Sequence, residues 1–320
     1  MTTAATMGLE KSRRTRYRRD TPTPMRLTED DIAIIRHVAR HRFLRSTHLL
    51  RLMANRSAKK MVERLGQLYH NQYLDRPRAQ LDYYSTAGSA PMVYALGNRG
   101  ADVLAEMDGL DRGQVDWTWK NRSTRRTFIE HTLLTADTMV AAECASIARP
   151  DVILIGAESI IANAPDMTRR SRNPFRLATR AHVNGQMIDL ALVPDAVFGL
   201  DFTIERRRKY FFLEADRATM PIKRANLSQT SIYRKFLAYV AGGGSTNAFG
   251  QHLGLGNFRV LMVTTSPERR DTMIAALKDA TGGKGSRQFL FTDRDELRQC
   301  ADLLDLPWIS GKGDIVRLGD

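Results

Sequence analysis

The sequence predicts a two-domain protein of mixed α and β structure. Three observations carry that expectation. The 320 residues are enough for two modest domains. Residues 26–112 order as three helices, a hairpin and a closing helix. From Thr127 onward helices and strands alternate, which requires a mixed sheet with helices on its faces. The 42% hydrophobic content is near the globular norm, so the bulk of the chain should fold.

Order begins at Leu27. Thr28 is suited to cap a helix, and Asp31 stands where it can reach back to the cap. Ile32, Ile35, Val38 and Ala39 then recur at helical spacing. A second short helix follows Ser46. Ala54-Asn55-Arg56 reads as a turn, and Ser57 caps a third helix whose buried stripe is Met61, Leu65 and Leu68. Lys59, Lys60, Arg64 and Gln67 are left to face outward. Tyr73–Arg76 reads as a strand, residues 77–91 as a polar turn, and Met92–Leu96 as the returning strand. Gly97-Asn98-Arg99-Gly100 breaks the chain before a helix from Ala101. This is the order of a winged helix-turn-helix, and "ALGNRGADVL" resembles the strand, Gly turn and helix of bacterial winged-helix domains.

Residues 1–25 hold Lys11, Arg13, Arg14, Arg16, Arg18 and Arg19 with almost nothing to bury. They read as a disordered basic tail, an arm that orders on DNA. Residues 113–126 read as a polar linker, with Trp117 and Trp119 more suited to packing than to stacking on bases.

The second domain is expected over 127–320. It opens with a helix from Phe128 to Ile147 that turns Ile129, Leu133, Ala136, Val140 and Cys144 inward. Val152–Gly156 reads as a strand or edge segment and 163–179 as a basic loop. Met187–Val193 reads as a strand ending in Pro194-Asp195. Tyr210–Glu214 is a buried strand by its unbroken apolar run. A helix is expected over 223–240, then a loop at Gly242-Gly243-Gly244. A strand over Phe258–Thr264, a helix over Glu268–Lys278 and a strand over Gln288–Phe291 complete the order.

Charge narrows the function. Lys and Arg number 49 against 35 Asp and Glu, a net +14, with pI near 10.1. Such an excess favours polyanions, chiefly nucleic acid, and argues against an enzyme for cationic substrates. Cys144 and Cys300 cannot form a disulfide framework or a structural zinc site, and read as small buried hydrophobes. No stretch approaches the roughly 18 apolar residues of a membrane span. The charged N-terminus has no apolar segment after it, so a cytoplasmic protein without a secretory signal is expected.

The sharpest chemical constellation is Pro194-Asp195, followed 19 positions later by Glu214-Ala215-Asp216. Adjacent strands ending in acids can set Asp195 and Glu214 side by side. Hard divalent cations such as Mg²⁺ or Mn²⁺ take oxygen ligands of that kind, and could activate water there. The alternative is strand-end carboxylates engaged in caps or salt bridges with Arg217. The pattern resembles the PD-(D/E)xK nuclease superfamily, which implies a restriction-endonuclease-like mixed sheet with flanking helices. That motif has Lys where this chain has Asp216. The resemblance then implies a cation borrowed from the next helix, where Lys223, Arg224, Arg234 and Lys235 are available. Gln229-Thr230-Ser231-Ile232-Tyr233 is similar to a Gln-x-x-x-Tyr element of some exonuclease-type members.

The whole order is more specific. A winged helix is followed by "FIEHTLLTADTMVAA", "LVPDAVF", "KYFFLEADRAT" and "FRVLMVTTSPERR". Over residues 26–300 this resembles the replication-relaxation family of bacterial plasmids and integrative elements. The resemblance implies a role in plasmid replication and DNA relaxation, with a nuclease-like second domain.

Several chemistries are excluded. No His has a partner two residues away, as a relaxase metal site requires, so Tyr83-Tyr84 reads as wing surface. His37 and His41 are four apart, but no Glu follows His37. "TGGKGS" at 281–286 lacks the spacing of an ATP-binding loop.

Expected DNA contacts are therefore Ser57, Lys59, Lys60 and Arg64 on the third helix, with Arg76 and Arg78 near the wing. The expected cleavage site is Asp195, Glu214 and Asp216 as metal ligands, Glu130 completing the shell, and Lys223 and Lys235 as cations, with Mg or Mn as cofactor. Expected partners are double-stranded DNA and replication or mobilisation proteins, without a membrane; a homodimer is left open. A rival reading is a non-enzymatic regulator or origin-binding initiator with a degenerate nuclease-like domain, favoured by Asp216 and opposed by Asp195 and Glu214.

Overall fold

The computed structural model describes residues 16–53, 56–80, 90–109, 111–113, 115–183, 185–244 and 247–320. Lys11, Arg13 and Arg14 of the expected tail, Ala54 and Asn55 of the expected turn, and Tyr83 and Tyr84 of the expected wing lie outside these. Two compact units divide the chain, Met1–Ala136 and Asp137–Asp320. Among the described residues, no helix is long and apolar enough to cross a membrane.

The first unit begins with α1 (Glu29–His41). Its capping box forms as the sequence suggests: Thr28 accepts from the Asp31 N–H, and the Thr28 N–H donates to the Asp31 carboxylate at 2.7 Å. β1 (Leu44–Arg45) and α2 (Ser46–Leu52) follow. Ser57 then caps α3 (Ala58–His70), which buries Met61, Leu65, Leu68 and Tyr69. β2 (Leu74–Asp75), a 3₁₀ turn (Arg78–Gln80) and β3 (Val93–Leu96) close an antiparallel sheet of order β1-β3-β2. The two-residue β1 carries too little pattern to be read from sequence.

α4 (Asn98–Asp108) starts directly after β3. Gly97 and Gly100 serve close approach here. A Cβ at Gly97 would lie 2.1 Å from the Gln72 carbonyl oxygen, and one at Gly100 2.2 Å from that of Tyr73.

The polar stretch after α4 contains a helix, α5 (Trp117–Arg122), capped by Asp116. Its Asn121 is fully buried and donates to the Leu96 carbonyl at 2.9 Å and to Asp75 at 3.3 Å. Trp117 packs beneath the Arg42 and Lys120 cations, whereas Trp119 is exposed.

Residues 16–23 do not behave as the free tail that was expected. Arg19 donates to Asp75 at 3.1 Å and stacks on the Tyr69 ring. Tyr69 donates to the Tyr17 carbonyl, and Asn71 to that of Thr23. The reason is chemical: planar guanidinium groups gain from aromatic faces and from a buried acid.

α6 (Arg126–Ala148) supplies Ile129 and Leu133 to a cluster with Phe43, Val93 and Ala95 in the first unit.

The second unit holds a seven-stranded mixed sheet of order β12-β11-β10-β9-β8-β7-β4. Its strands are β4 (Val152–Ile155), β7 (Ala196–Phe202), β8 (Arg207–Ala215), β9 (Phe258–Thr264), β10 (Phe289–Asp293), β11 (Trp308–Ser310) and β12 (Ile315–Val316). β8, β9 and β10 are parallel to one another, and the remaining pairs are antiparallel. The central strands are apolar on both faces, as Phe211-Phe212-Leu213 and Val260–Val263 show, so both faces must be covered. Short helices α7 (Ala157–Ala162) and α8 (Asp166–Arg169) lead to a separate hairpin, β5 (Leu177–Val183) and β6 (Gln186–Leu192). α9 (Ile232–Gly243) packs on that hairpin, sharing a core of Leu177, Leu190, Phe212, Phe236 and Tyr239. α10 (Ala248–Leu253), α11 (Pro267–Ala280) and α12 (Arg294–Gln299) complete the unit.

Three expectations change. The 163–179 segment is not all loop, because α8 and the start of β5 fall in it. Helix α9 starts at Ile232, not 223, because Ser231 provides the cap. It also runs through Gly242 and Gly243. Cys144 and Cys300 are half-buried rather than core residues.

Candidate active site

The strand before Asp195 belongs to the β5–β6 hairpin, so Asp195 directly precedes β7 instead of closing a sheet strand. β7 runs antiparallel to β8 with Ala196 opposite Leu213. The start of one strand therefore adjoins the end of the other, and Asp195 still meets Glu214. Beyond the ladder, the Asp195 N–H donates to the Leu213 carbonyl at 2.9 Å. In return the Ala215 N–H donates to the Asp195 carboxylate at 2.8 Å.

Strand alternation sets Phe212, Glu214 and Asp216 toward one face. α9 lies over that face, and its Lys235 and Tyr239, four residues apart, point the same way. Both reach Glu214. The Lys235 ammonium donates to one carboxylate oxygen, and the Tyr239 hydroxyl to the other at 2.7 Å. Glu214 is only 2% exposed.

Burial pushes the Glu214 carboxyl up from its ordinary range; Lys235 opposes this and the neighbouring Asp195 adds to it. Burial also acts against the Lys235 ammonium. Glu214 and Asp195 overcome it and raise that group, with Asp216 contributing. Tyr239 is held well above a normal phenol, first by burial and then by Glu214. One ammonium thus sits in the field of three carboxylates.

Asp216 is differently placed. Its N–H donates to the Val263 carbonyl at 2.8 Å. Its carboxylate accepts from Thr264 Oγ1 at 2.8 Å and from Arg269 Nε at 2.9 Å. Arg269, in the first turn of α11, also donates to the Met220 carbonyl at 2.6 Å.

The other expected cleavage residues lie elsewhere. Lys223 pairs with Asp279, at the end of α11 opposite to Arg269. Glu130 belongs to the first unit, where it pairs with Arg126 at 2.6 Å. Gln229 precedes the helix cap and accepts from Arg224, so of the expected Gln-x-x-x-Tyr element only the Tyr233 end lies on α9. The pair that does reach the acid is Lys235-x-x-x-Tyr239, which has the same four-residue spacing. Tyr239, Thr264 and Arg269 were not foreseen. The i, i+4 spacing was the available signal for Tyr239.

The expected DNA-contact residues of the first unit divide into two sets. Ser57, Lys59 and Lys60 are exposed at the start of α3, and Arg78 is exposed in the 3₁₀ turn. Arg64 and Arg76 are engaged internally. Arg64 donates to Asp31 at 2.7 Å through Nε and again through Nη2, and also to Gln67 and the Arg26 carbonyl. Burial alone would raise the Asp31 carboxyl, but hydrogen bonds from Arg64 and Thr28 hold it below the usual range. Arg76 lies over the Tyr69 ring and donates to the Tyr94 hydroxyl at 3.2 Å.

A family model described as replication-relaxation matches residues 35–249. That span runs from within α1 into α10 and includes Asp195, Glu214, Lys235 and Tyr239. No curated protein and no solved structure matches the chain.

Proposed function

The chain belongs to the replication-relaxation family, and from that premise we propose that it is a DNA-binding protein of plasmid replication and relaxation whose second unit is a metal-dependent nuclease. The first unit acts as a winged helix-turn-helix. α3 enters the major groove of double-stranded DNA, with Ser57, Lys59 and Lys60 at the phosphates and base edges and Arg78 on the flank.

The observation that supports the nuclease reading is the contact of Lys235 with Glu214 beside Asp195. It supplies, from a helix, the cation that Asp216 replaces in the strand motif. Asp195 and Glu214 are adjacent hard-oxygen donors, and their mutual repulsion suits a divalent cation. A bound Mg²⁺ or Mn²⁺ would be held by these two residues and would stabilise the charge that develops on a phosphodiester. Tyr239 orients Glu214, Lys235 offsets negative charge, and Arg269 fixes Asp216 at the edge of the site.

A second reading has its own support. Both Glu214 oxygens have internal donors, and Asp216 is neutralised by Arg269. A carboxylate balanced in this way fits a regulator or origin-binding initiator with a degenerate domain. Thermal melting with and without Mn²⁺ tests the metal site. The nuclease reading expects a rise in Tm by mass action that Asp195→Asn abolishes. The regulator reading expects no rise in either protein.

A further inference from the structure

The arginines between α8 and β6 serve none of the roles above. Arg169, Arg170, Arg172, Arg176 and Arg180 fall within twelve residues, and no acid occurs from 167 to 188. Arg169 pairs with Asp166, and Arg180 with Asp189 at 2.8 Å. Arg170, Arg172 and Arg176 are exposed, and among the described residues none is ion-paired. Cations this dense repel one another, and an external anion would offset that repulsion.

They also line a shaped surface. A groove of about 670 Å³ lies between the hairpin and α9, bounded by Arg176, Thr179, Arg180, Asp189 and Arg234. Arg176 also lines a second recess of about 480 Å³, with Ser171, Arg172 and Asn173. Arg234 fixes the groove wall, since its guanidinium donates to the Asp189 carbonyl of β6 at 2.8 Å. The next residue of α9 is Lys235. Successive helix residues point roughly 100° apart, so α9 gives Arg234 to the groove and Lys235 to Glu214.

We propose that this groove is a second DNA-binding surface, which holds the sugar–phosphate backbone of duplex DNA beside the Glu214 site. Guanidinium forks match phosphate oxygens bidentately. Duplex DNA carries one charge per roughly 1.7 Å of axis, the density that such a row of arginines suits. The inference rests on the DNA-binding reading for the identity of the polyanion, and it gives the second unit a contact of its own.

The test is salt-dependent binding of full-length protein to a short labelled duplex and to the matching single strand. The groove variant carries Arg172→Ala, Arg176→Ala and Arg180→Ala. A control removes equal charge from exposed positions of the same unit, through Lys278→Ala, Lys284→Ala and Lys312→Ala. The groove variant should keep the wild-type Tm and bind duplex at least about tenfold more weakly at low salt. Its slope of log K against log salt should fall by about 0.9 per lost contact. The control should stay near wild type, and replacement of the three arginines by Lys should restore the slope. Should the triple variant melt early, Arg172→Glu alone gives the same comparison and should weaken duplex binding.

Equal losses in groove and control variants would overturn the groove. So would a loss confined to the single strand. An unchanged groove variant, with Lys59→Ala and Lys60→Ala weakened, would overturn the groove and leave the DNA-binding reading intact. Failure of the wild type to bind any DNA would overturn both.

Discussion

Lys235, in the first turn of α9, holds a carboxylate oxygen of Glu214, which is buried near the end of β8. Tyr239, one turn further on, holds the other oxygen at 2.7 Å. A buried acid with two donors from one helix is a fixed geometric element, and several consequences can be measured.

Removal of Lys235 should be costly. Lys235→Met leaves Glu214 buried without its cation, a change worth about 3–5 kcal/mol in comparable pairs. The double variant Lys235→Met, Glu214→Gln should recover most of that, because no uncompensated charge remains. Chemical denaturation of the single and double variants checks this.

The same variant should change the pH profile. Burial already raises the Glu214 carboxyl, and loss of Lys235 raises it further. A carboxyl raised in the fold binds protons more readily there than in the unfolded chain. Its contribution to stability therefore falls as pH rises from the ordinary carboxylate range through the raised value. Lys235→Met should lose stability as pH rises above the ordinary carboxylate range and through the raised Glu214 value, a change that is smaller in wild type.

Arg64 should behave as a structural residue. Its fork holds the buried Asp31 of the capping box, so Arg64→Ala should cost about 2 kcal/mol without altering sequence preference. Asp31 gives the pH signature. Its carboxyl is depressed in the fold, so its stabilisation is present above the ordinary carboxylate value and is lost as pH falls through the depressed one. Asp31→Asn should be less stable than wild type at neutral pH, with the gap closing on acidification. Melting across acidic pH checks both statements.

Lys59→Ala with Lys60→Ala should show the opposite pattern. The melting temperature should hold, while duplex binding weakens for every sequence and the salt slope falls by about 0.9 per lost phosphate contact. Titrations at several salt concentrations read this directly.

Arg19→Ala should lower the melting temperature, by about 1.5–3 kcal/mol in stability. Arg19 bonds to Asp75 and stacks on Tyr69 in the first unit. An unchanged Tm would show that this contact contributes nothing to stability.

The sequence made some of this legible, and the limits have physical reasons. Asp195 and Glu214 meet because both acids fall at the same end of the antiparallel β7–β8 pair, and each was readable as an acid beside an apolar strand. The direction of β7 was not readable, because the apolar run before Asp195 belongs to the β5–β6 hairpin. Tyr239 is an apolar-faced residue in a helix stripe, so its hydroxyl looked like core until Glu214 lay opposite. Arg64 fits the outward face of α3 by periodicity. Its partner Asp31 stands 33 positions earlier, a pairing that only tertiary structure reveals. The arginines of 169–180 resemble a loop, because polar alternation on an exposed hairpin hides the strand.

Whether the second unit cuts DNA is read from the nicking of supercoiled plasmid, scored as open-circular and linear product. Wild-type protein with Mn²⁺ or Mg²⁺ should nick, and Asp195→Asn should not, while both bind the plasmid equally well. Full DNA affinity with no nicking by wild type in either metal, and no metal-induced rise in Tm, would contradict the nuclease account.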